Sequence, residues 1–432
     1  MNKGHPIGAP LAFHTLVLET NMSNKDNDKH LVGQPVFRQM LNLIPSNLLE
    51  RVTRKHKSDR YYKTFDTRIH LITMLFGIFS RCDSMGEVCD NLRALGGKLN
   101  HLDMRASPAK STAGDGLRGR TNEVFKELYF LLLELYKPLL SVSRLDNVSF
   151  SKLFIFDSTT IRLFSEVMKG VGRNPKGEGR KKGGLKVHMM IDAHSQTSTF
   201  VTISEAKEHD KNFLRYLTLA AYSMVVFDRA YNYYLQFAEW TKKEISFVCR
   251  LKVNAIYTVE KEVFKLETPC EKACVLKEEI IIIKYTDEDK EVRPLRLRKV
   301  TYQDDKKRIY EFITNNFAIS SEEVAAIYKH RWNIEILFKK LKQNFQLHYF
   351  YSETENGIKT QIWCTLIAQL LLQILKVKSK SKKAFSNIAS LVRVHLTSYM
   401  EINWMVENCR RSYAKTTRKK NKSPAYQTEM SF

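Results

Sequence analysis

The sequence predicts a mixed α/β protein in which a helical N-terminal region precedes a sheet-containing core, and helices return at the C-terminal end. Apolar residues recur at helical spacing from about residue 34 to 150, and the period becomes strand-like at residue 152. A helical pattern returns at residue 319, after a segment rich in β-forming residues. With 432 residues and 43% hydrophobic content, the chain can bury a large core and form about two to four domains.

Four segments of the N-terminal region have helical periodicity: "VFRQMLNLI", "TRIHLITMLFGIFSR", "SMGEVCDNLRAL" and "NEVFKELYFLLLELY". Ser84, and either Thr121 or Asn122, occupy N-cap positions. Between the last two segments, residues 105–120 are predicted to form a basic, glycine-bearing turn. This composition is compatible with a helix-turn-helix-like DNA reader, and it fits a solvated loop equally well.

The core is predicted to follow the order βββαβαβ. Its first strand, "KLFIF", ends on Asp157, and "LKVHMMID" and "STFVTISEA" then form a hairpin joined by "AHSQT". A helix near 210–221, the strand "SMVVF" ending on Asp228, the helix "YLQFAEWTKK" and the strand "ISFVCRL" follow. Residues 252–318 are predicted to be a β insertion, and the next helix begins at the "SSEE" capping pattern of 320–323.

Charge and composition favour a nucleic-acid partner. Seventy Lys and Arg against 46 Asp and Glu give a net charge of +24, which attracts polyanions, although a basic membrane-surface protein is a rival interpretation. The most apolar stretch, 362–375, is too short and too polar to span a bilayer, so we expect a buried helix. Without a recognisable signal peptide, the expected location is the cytoplasm. Seven scattered cysteines fit a reducing compartment and show no zinc-site spacing.

Two predicted strands end in an acid. An Asp after a strand is commonly a turn former or a helix cap, so either one alone is weak evidence for a site. In a ribonuclease-H-like sheet, however, the first and fourth strands are neighbours, and Asp157 and Asp228 would then lie side by side at the carboxyl edge, where ligands gather. A later helix could bring Glu335 to the same place. We therefore expect three carboxylates to converge.

The helix that carries Glu335 has two faces when each residue is placed at about 100° per step. One face is an apolar stripe that can pack on a core. Tyr328, Arg331, Glu335 and Lys342 fall within an arc of roughly 60° beside that stripe. An acid among cations on a helix is commonly a simple surface ion pair, which is the alternative to a functional role.

Three converging carboxylates predict a bound cation, because like charges repel unless something neutralises them. Oxygen ligands without Cys or His at ligand spacing favour Mg²⁺ or Mn²⁺. A two-ion arrangement would activate a water or sugar hydroxyl and stabilise the leaving oxygen of a phosphodiester. Arg331 and Lys342, with Tyr328, would contact DNA phosphates. The predicted metal ligands are Asp157, Asp228 and Glu335.

The spacing Tyr328-x2-Arg331-x3-Glu335-x6-Lys342 resembles the Y-R-E-K signature of the IS-four family, bacterial insertion-sequence transposases of the DDE class. "DRAY" at 228–231 and "FDSTT" at 156–160 resemble the two Asp motifs of that family. The likeness extends over most of the chain, from "QPVFRQMLNLIP" in the N-terminal region to "NGIKTQIW" near the C-terminal end.

The resemblance implies a ribonuclease-H-like catalytic core with a β-rich insertion. It also implies a homodimer that acts on terminal inverted repeats and on target DNA. Water would free a 3′-OH, which forms a hairpin end; the hairpin is reopened and the 3′-OH is joined to target DNA. Tyr328, Arg331 and Lys342 would contact the transposon end. An insertion-domain aromatic would support a flipped base, and Tyr257, Tyr285 and Tyr302 are unranked candidates.

Several interpretations stay open at this point. His209, Asp210, Lys186 and His188 could each face the metal site, with His209 the preferred neighbour of the ligands, although a lone His at a helix start more often caps or packs. The basic segment 410–423 would add attraction for phosphates or would simply be solvated. Besides an active transposase, an inactive or domesticated DNA-binding protein and a metal-dependent nuclease of the same fold are considered.

The predicted domains are a disordered or over-annotated extension (1–30), a helical N-terminal DNA-binding domain (31–150), the first part of the core (151–251), the β-rich insertion (252–318), the catalytic Glu helix of the core (319–350) and a C-terminal helical region with a basic tail (351–432).

Overall fold

The structure is a computed structural model of the full chain, and it describes residues 31–140, 150, 152–162, 184–195, 197–205, 209–267, 271–345 and 349–408. The predicted extension at 1–30 and the basic segment 410–423 lie outside the described residues. The helices are α1 (Val36–Leu41), α2 (Ser46–Lys55), α3 (Thr67–Ser80), α4 (Met85–Ala94), α5 (Lys110–Gly119), α6 (Glu123–Leu140), α7 (Tyr234–Lys242), α8 (Ser321–Lys329), α9 (Trp332–Phe345), α10 (Glu355–Lys378), α11 (Phe385–Val394) and α12 (Ile402–Asn408).

The described strands form one mixed sheet of nine strands in the order β3-β2-β1-β4-β5-β9-β8-β7-β6. The mixed α/β class predicted from the sequence is confirmed, including the helices at the N-terminal side. The strands are β1 (Leu153–Arg162), β2 (Gly184–Asp192), β3 (Ser198–Glu205), β4 (Met224–Phe227), β5 (Ser246–Arg250), β6 (Thr258–Lys265), β7 (Cys274–Thr286), β8 (Val292–Gln303) and β9 (Ile309–Thr314).

Strand β1 is longer than its sequence suggested. It pairs with β4 in parallel only as far as Phe156, opposite Phe227, but it continues antiparallel to β2 as far as Arg162. The prediction that the strand ends on Asp157 is therefore wrong for the β2 side, where Asp157 pairs with Met189. The β-branched residues after Asp157 suit a strand and explain the extension.

One further prediction about the core needs correction. The segment near 210–221 forms only a 3₁₀ helix, Asp210–Tyr216, instead of an α-helix. The strands after residue 252 extend the core sheet, because β9 pairs antiparallel with β5 at Cys249 and Ile313. The β-rich character of this segment is confirmed, and the sheet of the core continues directly into it.

The helix expected from residue 320 onward is divided into α8 and α9. Its start is confirmed, since the Ser320 hydroxyl accepts a hydrogen bond from the Glu323 amide at 3.1 Å. At His330 and Arg331 the amides bond three residues back, to Ile327 and Tyr328, so the chain tightens there into a 3₁₀ turn. Tyr328 consequently lies on α8, whereas Glu335 lies on α9.

In the N-terminal region the segment 105–120 contains helix α5 instead of the predicted turn. Gly116 and Ala113 are buried in it, and a side chain at Gly116 would collide with the Phe65 ring. The glycine there serves close packing. The Ser84 cap is confirmed by a bond from the Glu87 amide at 3.2 Å.

The most apolar sequence segment lies in α10, which packs against α3, α5 and α6 and against α9 and α11. By length and composition α10 is the one described helix that could cross a membrane, but 89% of its apolar window is buried inside the protein. That burial is typical of a core helix and agrees with the sequence prediction. Helix α10 thus joins the N-terminal helices to the helix that carries Glu335.

Candidate active site

The sheet places Asp157 and Asp228 side by side. The last paired residues of the parallel strands β1 and β4 are Phe156 and Phe227, and the two acids follow them directly. Ile155 and Val226, two residues before each acid, belong to the core cluster that contains the apolar residues of α9 and α10. Because side chains alternate along a strand, both acids are directed to the face covered by these helices.

Asp228 is not used as a helix cap. It occupies the N-cap position of the short 3₁₀ helix Arg229–Tyr231, but its side chain makes no capping hydrogen bond. Instead, its Oδ1 accepts a hydrogen bond from the Tyr328 hydroxyl at 3.4 Å. Tyr328 itself is buried, and burial raises the pKa of its phenol, so it acts as a neutral donor. The cap alternative for Asp228 is therefore not supported.

Arg331 bridges the other two acids. Its Nη1 lies 3.3 Å from Asp157 Oδ2 and 2.7 Å from Glu335 Oε1. The guanidinium is also 5.6 Å from the Tyr328 ring centroid and 5.3 Å from that of Trp332. Glu335 thus forms the expected i,i+4 pair with Arg331, but the same cation reaches Asp157 on the sheet. The ion pair belongs to the site instead of the solvated surface.

The electrostatics at Asp157 differ from those of an ordinary surface acid. Its side chain is 17% exposed, and its Oδ1 accepts a hydrogen bond from the Ser158 amide at 2.7 Å. Burial raises the pKa of Asp157 to about 6, assisted by the charges of Asp228 and Glu335 and opposed by the Ser158 amide and by Arg331. The carboxylates therefore destabilise one another, and positive charge at this position is favourable.

An open cleft of about 550 Å³ lies between the second half of β1 and α9. Asp157 and Glu335 line it together with Lys339 and Lys342. Lys342 is exposed, and its ammonium donates to the Thr160 carbonyl at 3.3 Å. The cleft therefore has acids at one position and cations beside them, an arrangement that suits a phosphate chain held next to a metal site.

The residue types present fit a hard divalent cation. Carboxylate oxygens are the ligands that Mg²⁺ and Mn²⁺ prefer. Burial, and to a smaller extent the charges of Asp228 and Glu335, raise the pKa of Asp157, and a bound cation would favour its ionised form. Within the described residues, however, no three acid, His or Cys side chains are close enough together to hold one ion. Arg331 lies between Asp157 and Glu335 in that position. That all three acids share an ion stays a prediction.

The other candidate neighbours lie on the opposite face of the sheet. Ser158 points away from Asp157, and its hydroxyl donates to Asp210 at 3.0 Å. Lys186 also donates to Asp210 at 3.0 Å. His188 is fully buried, stacks on Phe213 at 3.6 Å between ring centroids, and has a pKa that burial lowers to about 3. These residues support the strand behind Asp157.

His209, the preferred candidate, is exposed at the start of the 3₁₀ helix and makes no capping hydrogen bond through its side chain. Its proposed place beside the metal ligands stays a prediction. Asp210 instead is connected to the site, through Ser158. The sequence signal for this connection is the serine next to Asp157 in "FDSTT", which alone does not identify its partner.

The three tyrosines proposed to support a flipped base are all partly buried. Tyr257 accepts a hydrogen bond from the Lys299 ammonium at 2.7 Å, and Tyr302 packs beside Phe312 with ring centroids 6.4 Å apart. Tyr285 packs against a separate cluster of buried apolar residues that includes Phe227, Phe247 and Ile313. These contacts do not rank the three candidates.

Comparison with known protein families gives two matches. Residues 149–371, a little more than half of the chain, match the family described as transposase DDE domain. Residues 32–105 match a domain of unknown function, DUF4372. All the predicted ligands and the Y-R-E-K residues lie within the first match, and the second covers the described helices α1 to α4.

Individual proteins similar to this chain are also named as transposases. The chain is 25% identical to the protein y4zB of Sinorhizobium fredii, whose name calls it a transposase, over 46% of this chain and 55% of that protein. It is 25% identical to "Probable transposase for insertion sequence element IS5377" of Geobacillus stearothermophilus, over 58% of this chain and 64% of the relative. It is 23% identical to "Transposase for insertion sequence element IS231C" of Bacillus thuringiensis subsp. berliner, over 85% and 86% of the two chains.

The first two matches thus span less than two thirds of the relatives, whereas the third spans most of both proteins. The family match itself covers the strands and helix that bring the acids together. The chain therefore belongs to the transposase DDE domain family.

Proposed function

We propose that this chain is a transposase of the IS-four type, which moves an insertion sequence by metal-dependent strand cleavage and strand transfer at terminal inverted repeats. The observation that carries the proposal is the pair Asp157 and Asp228 at one sheet edge, with Glu335 linked to Asp157 through Arg331. Family membership and the insertion-sequence names of the relatives support the same function. The core would then have the ribonuclease-H-like arrangement.

Asp157, Asp228 and Glu335 would hold Mg²⁺ or Mn²⁺, with two ions in each site. When bound, such ions activate a water or a 3′-hydroxyl and stabilise the leaving oxygen of a phosphodiester. Asp157 must be deprotonated to serve as a ligand. Because its pKa is about 6, this condition is met at neutral pH and is lost as the pH falls below that value.

The remaining residues would bind and orient DNA. Lys342 and Lys339 lie on the α9 side of the cleft and would attract the phosphates that enter it. Arg331 would contact a phosphate through its guanidinium; its Nε has no hydrogen-bond partner among the described residues but is buried, so this contact requires the side chain to move towards the cleft. Tyr328 is buried against Asp228, and its contribution would be to orient that carboxylate close to the DNA.

The proposal is tested by incubating the full chain with Mg²⁺ and duplex DNA. The duplexes carry the inverted repeats that flank the gene at the two ends of the element. Joined products are expected. Cleavage without joining would identify a nuclease of the same fold, and a mobility shift without cleavage would identify a DNA-binding protein. Either of these two results would contradict the proposal. A parallel reaction with Mn²⁺ compares the two candidate ions.

The proposed partners are the inverted repeats and target DNA, bound by a homodimer, in the cytoplasm close to the nucleoid. The net charge of +24 supports binding to DNA. Analytical ultracentrifugation of the protein with and without end DNA tests the dimer, and two copies per pair of DNA ends are expected.

A further inference from the structure

The loop between α2 and α3, residues 56–66, is held rigidly from the inside; we call it the cationic loop. The Arg120 guanidinium is buried beneath it and donates to the Ser58 carbonyl at 3.1 Å and to the Phe65 carbonyl at 2.6 Å. The Tyr62 ring packs on the same guanidinium, 4.1 Å from ring centroid to Cζ. A loop fixed in this way presents its outer side chains at defined positions.

The outer side of the cationic loop is positively charged. Lys57, Arg60 and Lys63 are exposed, and among the described residues none of the three forms an ion pair. The neighbouring cations on α2 differ, because Lys55 pairs with Glu127 and Arg54 with Glu50. The three loop cations are therefore available to an anionic partner.

The two acids of the loop form hydrogen bonds on its inner side. Asp59 Oδ1 accepts hydrogen bonds from the Thr67 amide and hydroxyl, each at 2.6 Å. Asp66 accepts from the Ile69 amide at 2.7 Å and so caps α3. Both carboxylates are thus fixed on groups of α3, at its N-terminal end, and do not pair with the three exposed cations. The outward field of the loop is positive.

Tyr61 stands out at the tip of the loop. Its side chain is 86% exposed, although its backbone has a φ of +73°, a conformation that bulky residues rarely adopt. Lys57 is also left-handed, with a φ of +48°, but it directly follows the C-cap of α2, where this conformation commonly ends a helix. The Arg60 guanidinium lies over the Tyr61 ring, 4.9 Å from its centroid. Such strain persists only where the surrounding structure imposes it, and it is common at binding sites.

We propose that the cationic loop binds the phosphate backbone of duplex DNA, with Lys57, Arg60 and Lys63 as cations and Tyr61 as a hydroxyl donor and packing surface between them. This inference rests on the proposed function for the identity of the partner. Lys, Arg and Tyr side chains on a rigid element are the groups that position proteins on DNA without reading its sequence. The loop would thereby give the helical N-terminal region a surface that contacts DNA phosphates.

The test compares the full chain with the double variant Arg60→Ala, Lys63→Ala and with a matched control, Lys242→Ala, Lys243→Ala. The control removes the same charge from exposed positions at the end of α7. Binding to a fluorescein-labelled duplex of mixed sequence, about 30 base pairs long, is measured by anisotropy over a range of KCl concentrations, with EDTA present.

The loop variant is expected to bind at least about tenfold more weakly. The negative slope of log K against log salt should become smaller in magnitude by roughly two, about 0.9 for each lost contact. The control variant should retain the wild-type slope. Equal slopes for the two variants would overturn the proposal. Loss of binding to vesicles of anionic lipid, with DNA binding unchanged, would overturn it as well and would identify a membrane surface as the partner.

Two further measurements distinguish direct contact of the loop with DNA from a general effect of the positive charge of the protein. Bound DNA should protect Lys57 and Lys63 from acetylation and leave Lys242 reactive; equal reactivity of all three would contradict the proposal. Tyr61→Ala should weaken binding several-fold without changing the salt slope, because it removes no charge. Thermal unfolding of each variant should match the wild type, since all the altered side chains are exposed.

The outcome does not depend on catalysis, since EDTA prevents cleavage. A reduced slope in a chain that fails to cleave would refute only the proposed function. An unchanged slope in a chain that cleaves and joins DNA would refute only the role of the cationic loop.

Discussion

The molecule contains two buried arginines in very different surroundings. Arg120, in the helical region, donates to two backbone carbonyls and to His70 Nδ1 at 2.8 Å, and it lies 3.5 Å from Asp59. Arg331, beside the sheet, has a single nitrogen shared by Asp157 and Glu335, and its Nε has no partner among the described residues. The fold thus provides partners for the guanidinium of Arg120, whereas the guanidinium of Arg331 is only partly paired.

The difference indicates what each arginine is for. Fully paired buried polar groups fix a structure, whereas incompletely paired ones mark places where a ligand completes the set. Arg120 holds a loop in position. Arg331 neutralises acids next to an open cleft, where additional partners can enter. We therefore infer that Arg120 serves the stability of the loop it holds, whereas Arg331 serves the proposed active site.

The largest expected effect is on catalysis in the second region. Asp157→Ala, Asp228→Ala and Glu335→Ala should each reduce DNA cleavage by at least about a thousandfold, since ligand loss removes several kcal/mol of transition-state stabilisation. DNA binding should persist. Glu322→Ala, an exposed acid on α8, is the matched control and should cleave normally. Full cleavage by any of the three variants would remove that residue from the site.

The two arginines themselves provide the next test. Arg120→Met should lower the free energy of unfolding by about 3 to 5 kcal/mol, because it leaves buried carbonyls unsatisfied. Arg331→Met should lower it by only about 1 kcal/mol, since Asp157 can take up a proton. Urea unfolding measures both, with exposed Arg118→Met as the control. Equal losses for the two buried arginines would break the comparison.

Stability should also depend on pH through Asp157. An acid with a raised pKa binds its proton more tightly in the folded state, so folding loses stability as the pH rises from about 4 through about 6. Asp157→Asn should therefore be more stable than the wild type by about 2 to 3 kcal/mol near pH 8, at roughly 1.4 kcal/mol for each unit of pKa, and similar to it near pH 4. Urea unfolding without divalent ions measures this difference. A difference in unfolding free energy between the variant and the wild type that does not change with pH would contradict the raised pKa of Asp157.

The smallest expected effect concerns Lys342. It is exposed, so Lys342→Ala should leave the free energy of unfolding unchanged within about 0.5 kcal/mol. Loss of the Lys342 charge should reduce the magnitude of the slope of log K for DNA binding against log salt by about 0.9. The control is Lys243→Ala, directly after α7, which should leave the slope at its wild-type value. A slope unaffected by Lys342→Ala would show that the α9 side of the cleft does not contact phosphate.

Local patterns were sufficient for most elements of the fold. Alternation predicted the β2–β3 hairpin, and continuous apolar residues predicted β4 and α10, because burial of one face or of all faces leaves a direct trace in sequence. The pairing of β9 with β5 depends on residues more than 60 positions apart, Cys249 and Ile313, and no local pattern records it. Helix α5 was missed because its glycines resemble a turn, whereas Gly116 accommodates Phe65.

The site was predicted in part for a similar reason. Acids at strand ends and the spacing from Tyr328 to Lys342 were visible in sequence, and the register of β1 and β4 places the two aspartates together as expected. The contact of Arg331 with Asp157 was not foreseen, because a helical wheel shows neighbours on one helix and not a partner on the sheet. The turn at His330 also changes the single face assumed for these residues.

The most direct test of the claim that the three carboxylates share an ion is a titration of the full chain with Mn²⁺. Binding is measured by electron paramagnetic resonance at about pH 8, where Asp157 is ionised. The account predicts a bound ion in the wild type and an affinity at least about tenfold lower in each of Asp157→Asn, Asp228→Asn and Glu335→Gln. Wild-type affinity in any one of these variants would contradict the claim that the three carboxylates hold the same ion.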